Sequence, residues 1–117
     1  MATVSDPHEI ANVLGVAGID YLIANSKTVP FKFYFGAPSA VPATRYETAG
    51  AELSLAETER LLARPEIKFL GEVMNTQAVL DQDPELLAKL KAARDNHRII
   101  DGHAPDLRGA KLAAYAA

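Results

Sequence analysis

Four times along these 117 residues a short β-prone or apolar run gives way to a stretch with helical periodicity, and no other feature limits the fold as much. The first strand is a stub, "MATVS" (1–5), and the others are "VPFKFYFGAP" (29–38), "IKFLGE" (67–72) and "RIIDGH" (98–103). Strands that alternate with helices pair in parallel as βαβ units, and their crossovers are right-handed in nearly all known cases. The sequence therefore predicts an α/β fold of four parallel β-α units in one domain, residues 1–117. An open sheet and part of a (β/α)8 barrel both satisfy the pattern. A whole barrel needs roughly 200–250 residues, so four units make half of one at most.

Local signals set the expected helices. Asp6 stands where an N-cap belongs, Pro7 suits the first helical position and Glu9 falls three after the cap, which reads as a capping box. The helix that follows would turn Ile10, Val13, Leu14, Ala17 and Tyr21 to one face. Gly15 and Gly18 lie within it, each at a cost of about 1 kcal/mol against alanine, so close packing is expected there. Ser54 and Glu57 form a second capping box. Asp83 caps a helix with Pro84 at its first position, Leu86, Leu87, Leu90 and Ala93 inward, and Lys89, Lys91 and Arg94 on a solvated face. A last helix occupies 107–117. Phe31, Phe33 and Phe35 alternate as core residues do. The irregular stretch from Gly36 to about Leu53 is longer than the ~12 residues of ordinary loops, a length that usually signals function.

Composition removes several classes of function. The net charge of −3, with no basic cluster, gives no footprint for nucleic acid. Cysteine is absent, which rules out disulfides, thiolate metal sites, cysteine nucleophiles and the P-C-x-x-C zinc site of one class of nucleobase deaminases. The longest apolar run, "ANVLGVAGIDYLIA" (11–24), is interrupted by Asp20 and falls short of the roughly 20 residues of a membrane span. No signal-peptide pattern opens the chain. A cytoplasmic protein with no membrane partner is expected.

In parallel α/β folds reactive groups collect at the carboxyl ends of strands. Three strands here end in such groups: Asp6, His8 and Glu9 after the first, Glu72 on the third, Asp101 and His103 on the fourth. Glu72 and His103 share one arrangement, an apolar strand, one glycine, then the ligand-capable residue; the glycine leaves room beside it. A carboxylate can bridge two divalent cations and a neutral imidazole can bind one, and two metals roughly 3.5–4 Å apart can activate water. Each residue has a plainer reading. His8 and Glu9 serve a helix N-terminus, Glu72 is an exposed strand-end carboxylate, and His103 is a turn histidine in "DGHAP". "HEIAN" lacks the second histidine of H-E-x-x-H, with Asn12 in its place. His97, just before a strand, is expected to be exposed.

Taken together, "VSDPHEIANVLGVAGIDYL", "APSAVPATRYETAGAELS", "LGEVMN" and "DGHAPDLRGAKLAAYAA" resemble the bacterial adenine deaminases of the amidohydrolase superfamily, in order and through almost the whole chain. The resemblance implies a (β/α)8 TIM-barrel metallohydrolase that converts adenine to hypoxanthine and ammonia with a divalent metal, Mn2+ or Fe2+. The four units would be barrel strands two to five. Glu72 would be the bridging carboxylate at the end of strand four and His103 the histidine ligand from strand five. His8 and Glu9 would line the site in catalytic roles, and the loop of 38–50 would approach the substrate. The family's paired histidines on strand one, the histidine after strand six and the aspartate after strand eight have no counterpart in these residues. Ala40 stands where cysteine is usual and Ala49 where serine is. The expectation is an incomplete metal site, a chain inactive in isolation, and association with itself or with the missing barrel half. The rival readings are another amidohydrolase, acting on a cyclic amide or a different nucleobase, and a non-catalytic barrel fragment.

Overall fold

The structure, a computed structural model, describes residues 1–44 and 46–117. Four strands form one parallel sheet in the order β1-β2-β3-β4. They are β1 (Ala2–Ser5), β2 (Lys32–Pro38), β3 (Ile67–Val73) and β4 (Ile99–Gly102). The alternation of strands and helices thus builds the expected half-barrel. Among the described residues six helices lie between and after the strands: α1 (His8–Leu14), α2 (Val16–Ser26), α3 (Leu55–Leu62), α4 (Thr76–Leu80), α5 (Pro84–Asp95) and α6 (Gly109–Ala116). The short α4, capped by the Asn75 side chain, has no counterpart in the sequence reading.

Strand alternation divides the sheet into two unlike faces. Phe35, Ala37, Ile67 and Leu70 point into one core with Ile19 and Ile23 of α2, Leu61 and Leu62 of α3, and Leu86, Leu90 and Ala93 of α5. On the opposite face the register sets Val4 beside Tyr34 and Ile99 beside Phe69. Val4, Tyr34 and Ile99 are 69%, 42% and 73% exposed, while Phe69 is buried with its ring over Gly36, so this face is largely open to solvent among the described residues. Phe33 is half-buried and stacks on Phe35, the ring centroids 5.6 Å apart.

Three expectations about the helices need correction. The single helix predicted after Pro7 is two, broken at Gly15, whose φ of 59° and ψ of −140° no L residue adopts easily. The break re-aims the chain, so Ala11, Ile19 and Ile23 are buried while Val13, Leu14 and Tyr21 are exposed. Gly18 behaves as expected: a Cβ there would collide with the Ile10 carbonyl, and its absence lets α2 pack on α1. The capping box at Asp6 does not form. Pro7 is the N-cap, without a side-chain hydrogen bond, because the Asp6 carboxylate is engaged by His8. On α5, Leu87 faces solvent and Lys89 is buried, 5% exposed, the reverse of the expectation; Lys91 and Arg94 are exposed as predicted. The Ser54–Glu57 box and the Asp83 cap form as the sequence indicates.

Candidate metal centre

The chain turns at the carboxyl edge of the sheet bring three ligand-capable side chains together. Asp6 follows β1, His8 opens α1 and Glu72 lies near the end of β3. One ligand atom from each falls within 4.8 Å of the other two, the sole such group of three among the described residues. The His8 Nδ1 lies 2.9 Å from Asp6 Oδ1 and 3.3 Å from Glu72 Oε2. Its Nε2 lies 3.0 Å from the Ala40 carbonyl oxygen. A neutral imidazole has one donor and one acceptor nitrogen. The Ala40 carbonyl and the two ionised carboxylates can all only accept, so both ring nitrogens donate here, Nε2 to Ala40 and Nδ1 to Asp6, as in the protonated imidazole.

Burial by itself would lower the His8 pKa. The hydrogen bond to Asp6, the charges of Asp6 and Glu72 and the Ala40 carbonyl together outweigh it, and the pKa is raised above its ordinary 6.5. The cluster is an environment that draws positive charge to Nδ1. Asp6 adds a second sign of the same demand: its Oδ2 is buried and has no hydrogen-bond partner among the described residues. An uncompensated buried carboxylate oxygen is costly, and a cation would answer it.

Two local features seat these groups. A Cβ on Gly71 would overlap the Asp6 carboxylate, so glycine is what lets β1's end and β3 come together there. Glu72 is left-handed, with φ of 48°, and its carboxylate is partly exposed, at 40%. A cleft of about 970 Å³ opens on the other side of Ser39 and Ala40, lined by Thr44, Leu53, Asn75 and Lys89 among others, and does not include the three clustered side chains.

Of the residues singled out in the sequence, His8 and Glu72 meet in this cluster. Glu9 is exposed and takes no part in it. His103 lies one residue beyond β4, on the same edge, exposed and outside the cluster; His97 is exposed as expected. The loop of 38–50 includes Arg45, which lies outside the described residues. Asp6, read in the sequence both as an N-cap and as a ligand-capable residue at a strand end, serves in the cluster and not as a cap.

The profile of the amidohydrolase family matches residues 1–117, the entire chain. The chain belongs to the amidohydrolase family. Among its relatives, the protein named adenine deaminase in Sulfurovum sp. (strain NBC37-1) is 57% identical over 98% of this chain and 22% of its own length. That of Salinibacter ruber is 53% identical over 100% and 22%. That of Methanosarcina mazei, an archaeon, is 50% identical over 98% and 21%, so the likeness is not confined to bacteria. This amidohydrolase chain thus spans about a fifth of the length of those relatives. Among the described residues no helix is long and apolar enough to cross a membrane.

Proposed function

We propose that this chain is part of the catalytic barrel of an adenine deaminase, a hydrolase that converts adenine and water to hypoxanthine and ammonia. The observation that carries the reading is the buried Asp6 Oδ2, without a hydrogen-bond partner among the described residues, beside His8 and Glu72 at the carboxyl edge of the sheet. The names of the relatives supply the substrate. In this reading Glu72 is the central metal-holding carboxylate, and His103, from the next strand's end, is a further ligand. Asp6 and His8 border the same ion, and Glu9 stands on the substrate side. The ion is Mn2+ or Fe2+. Bound there, it supplies Lewis-acid activation of water at neutral pH.

The chain's own residues do the rest of the preparation. The Ala40 carbonyl holds the Nε2 proton, so Nδ1, which donates to Asp6, is the nitrogen that would offer a lone pair when a cation takes the place of its proton. Such outer partners fix a histidine's tautomer and ring orientation at metal centres. Gly71 keeps Asp6 and Glu72 within reach of the ring. The uncovered sheet face takes the remaining strands of a closed barrel or a second copy of the chain.

Manganese titration followed by electron paramagnetic resonance tests the metal reading, and ammonia release from adenine tests the substrate. The 117 residues are expected to bind Mn2+ weakly and saturably and to release no ammonia by themselves. In a full-length enzyme carrying this stretch, turnover requires Mn2+ or Fe2+, and Glu72→Gln loses both metal and activity. Binding untouched by Glu72→Gln, or full activity of that variant, overturns the assignment.

A further inference from the structure

Against the cluster lies a residue with no chemistry of its own there. Ser39 follows the last residue of β2 and is 2% exposed. Its three polar groups reach three different partners. The N–H donates to the Gly71 carbonyl at 3.1 Å, and the hydroxyl donates to the Glu72 carbonyl at 2.9 Å. Its own carbonyl accepts from the Lys89 ammonium at 3.3 Å. Lys89 also donates to the Leu53 carbonyl at 3.1 Å and lies 3.4 Å from Glu85 Oε1, so α5 grips this segment from behind with a buried cation. The next carbonyl along, that of Ala40, is the one that accepts from His8. Two consecutive residues therefore hold Glu72 by its backbone and His8 by its ring.

The geometry points to Ser39 as a positioning residue of the metal centre, its hydroxyl locking the left-handed turn that carries Glu72 while Lys89 anchors the segment. The physical reason lies in Glu72. A left-handed conformation is unfavourable for a residue with a Cβ and persists only where surrounding contacts over-determine it. The Ser39 hydroxyl is the side-chain contact made to the Glu72 carbonyl among the described residues. Without it that carbonyl loses its side-chain donor and the turn can relax toward extended backbone. Successive side chains of a strand point to opposite faces, so the relaxation would swing the Glu72 carboxylate away from His8. The inference rests on the metal reading for its consequence, though not for its geometry.

The matched control is Thr58, fully buried on α3, whose hydroxyl donates to the Ser54 carbonyl at 3.1 Å, remote from the cluster in the chain. Ser39→Ala and Thr58→Val each delete one buried hydroxyl-to-carbonyl hydrogen bond and should both lower the melting temperature. Two further readouts separate them. Carbon chemical shifts of Glu72 report its backbone, and nuclear Overhauser contacts between the His8 ring and Ala40 report the ring. In Ser39→Ala both should change and Mn2+ affinity should fall by about tenfold to a hundredfold; in Thr58→Val none of the three should move. If Ser39→Ala does not fold, Ser39→Cys, of similar shape but a weak donor, takes its place with the same expectation. Glu72 shifts, ring contacts and Mn2+ affinity all unchanged in the Ser39 variant overturn the inference. If the wild-type chain binds no Mn2+, the metal reading fails, and the two resonance readouts then decide the positioning role on their own.

Discussion

At residue 72 the backbone works against its own stability. A left-handed L residue costs on the order of 1–2 kcal/mol, and Glu72 adopts that conformation with φ of 48°. Strain of this kind gathers at functional sites. Glu72→Gly should therefore stabilise the fold by up to about 1 kcal/mol in chemical denaturation, while Mn2+ binding is lost. A variant that is both less stable and still binding would remove the argument for strain held in the service of a ligand. How legible these residues are differs from one to the next. Gly71 was readable as the glycine that makes room, since a Cβ there would strike the Asp6 carboxylate. Asp6 was not, because an aspartate before Pro-His can cap a helix or bind the ring, and only the arrival of β3 decides. Lys89 falls on the inward stripe with Leu86, Leu90 and Ala93, and that spacing outweighs its charge once backbone carbonyls receive the ammonium. Ser39 carries no sequence signal; its role exists only where β2 and β3 end side by side.

Among the elements, α3 shows how much a cap signal can carry. The Ser54 hydroxyl accepts from the Glu57 N–H at 3.3 Å, and the Glu57 carboxylate accepts from the Ser54 N–H at 2.9 Å and from its hydroxyl at 2.7 Å. Those donors, the hydroxyl first and then the backbone N–H, hold the Glu57 pKa below the usual glutamate value. A carboxyl whose pKa is lowered by folding contributes stability above its unfolded pKa and loses it as pH falls through its folded one. Ser54→Ala should cost about 1 kcal/mol at neutral pH, and the gap between it and wild type should shrink on acidification below the ordinary glutamate range. Melting curves taken down that pH series check it; a gap that stays constant would mean the carboxylate plays no part. The first helix was less legible for an equally local reason. The apolar period runs on through Gly15, but its positive φ ends α1 there, and the Gly50 and Ala51 N–H groups donate to the Asn12 carbonyl beside the break. A loop distant in sequence helps to set where that helix turns.

For the whole molecule, the alternation of strands and helices gave four parallel β-α units, the family resemblance chose a barrel arc over an open sheet, and what both left open is how the bare face is covered. All four strands are parallel and neighbours in order, so β1 and β4 are each paired on one side only. Unpaired strand edges offer free N–H and C=O groups to any other chain. On the bare face Val4 of β1, Tyr34 of β2 and Ile99 of β4 make a broken apolar strip open to solvent, interrupted at β3 by the buried Phe69. Edge and strip together favour association, either with further barrel strands or, when the chain is alone, with a second copy. Four parallel strands are half of the eight that close a barrel of this class, so a symmetric pair satisfies both edges at once. The 117 residues alone should therefore sediment as a concentration-dependent dimer or larger species and bind a hydrophobic dye. Ile99→Lys and Val4→Lys should each shift the equilibrium toward monomer and weaken dye binding without lowering the melting temperature of the monomer, because both positions lie outside the helix-covered core. A clean monomer at high concentration with no dye-accessible apolar surface would overturn this account of the uncovered face.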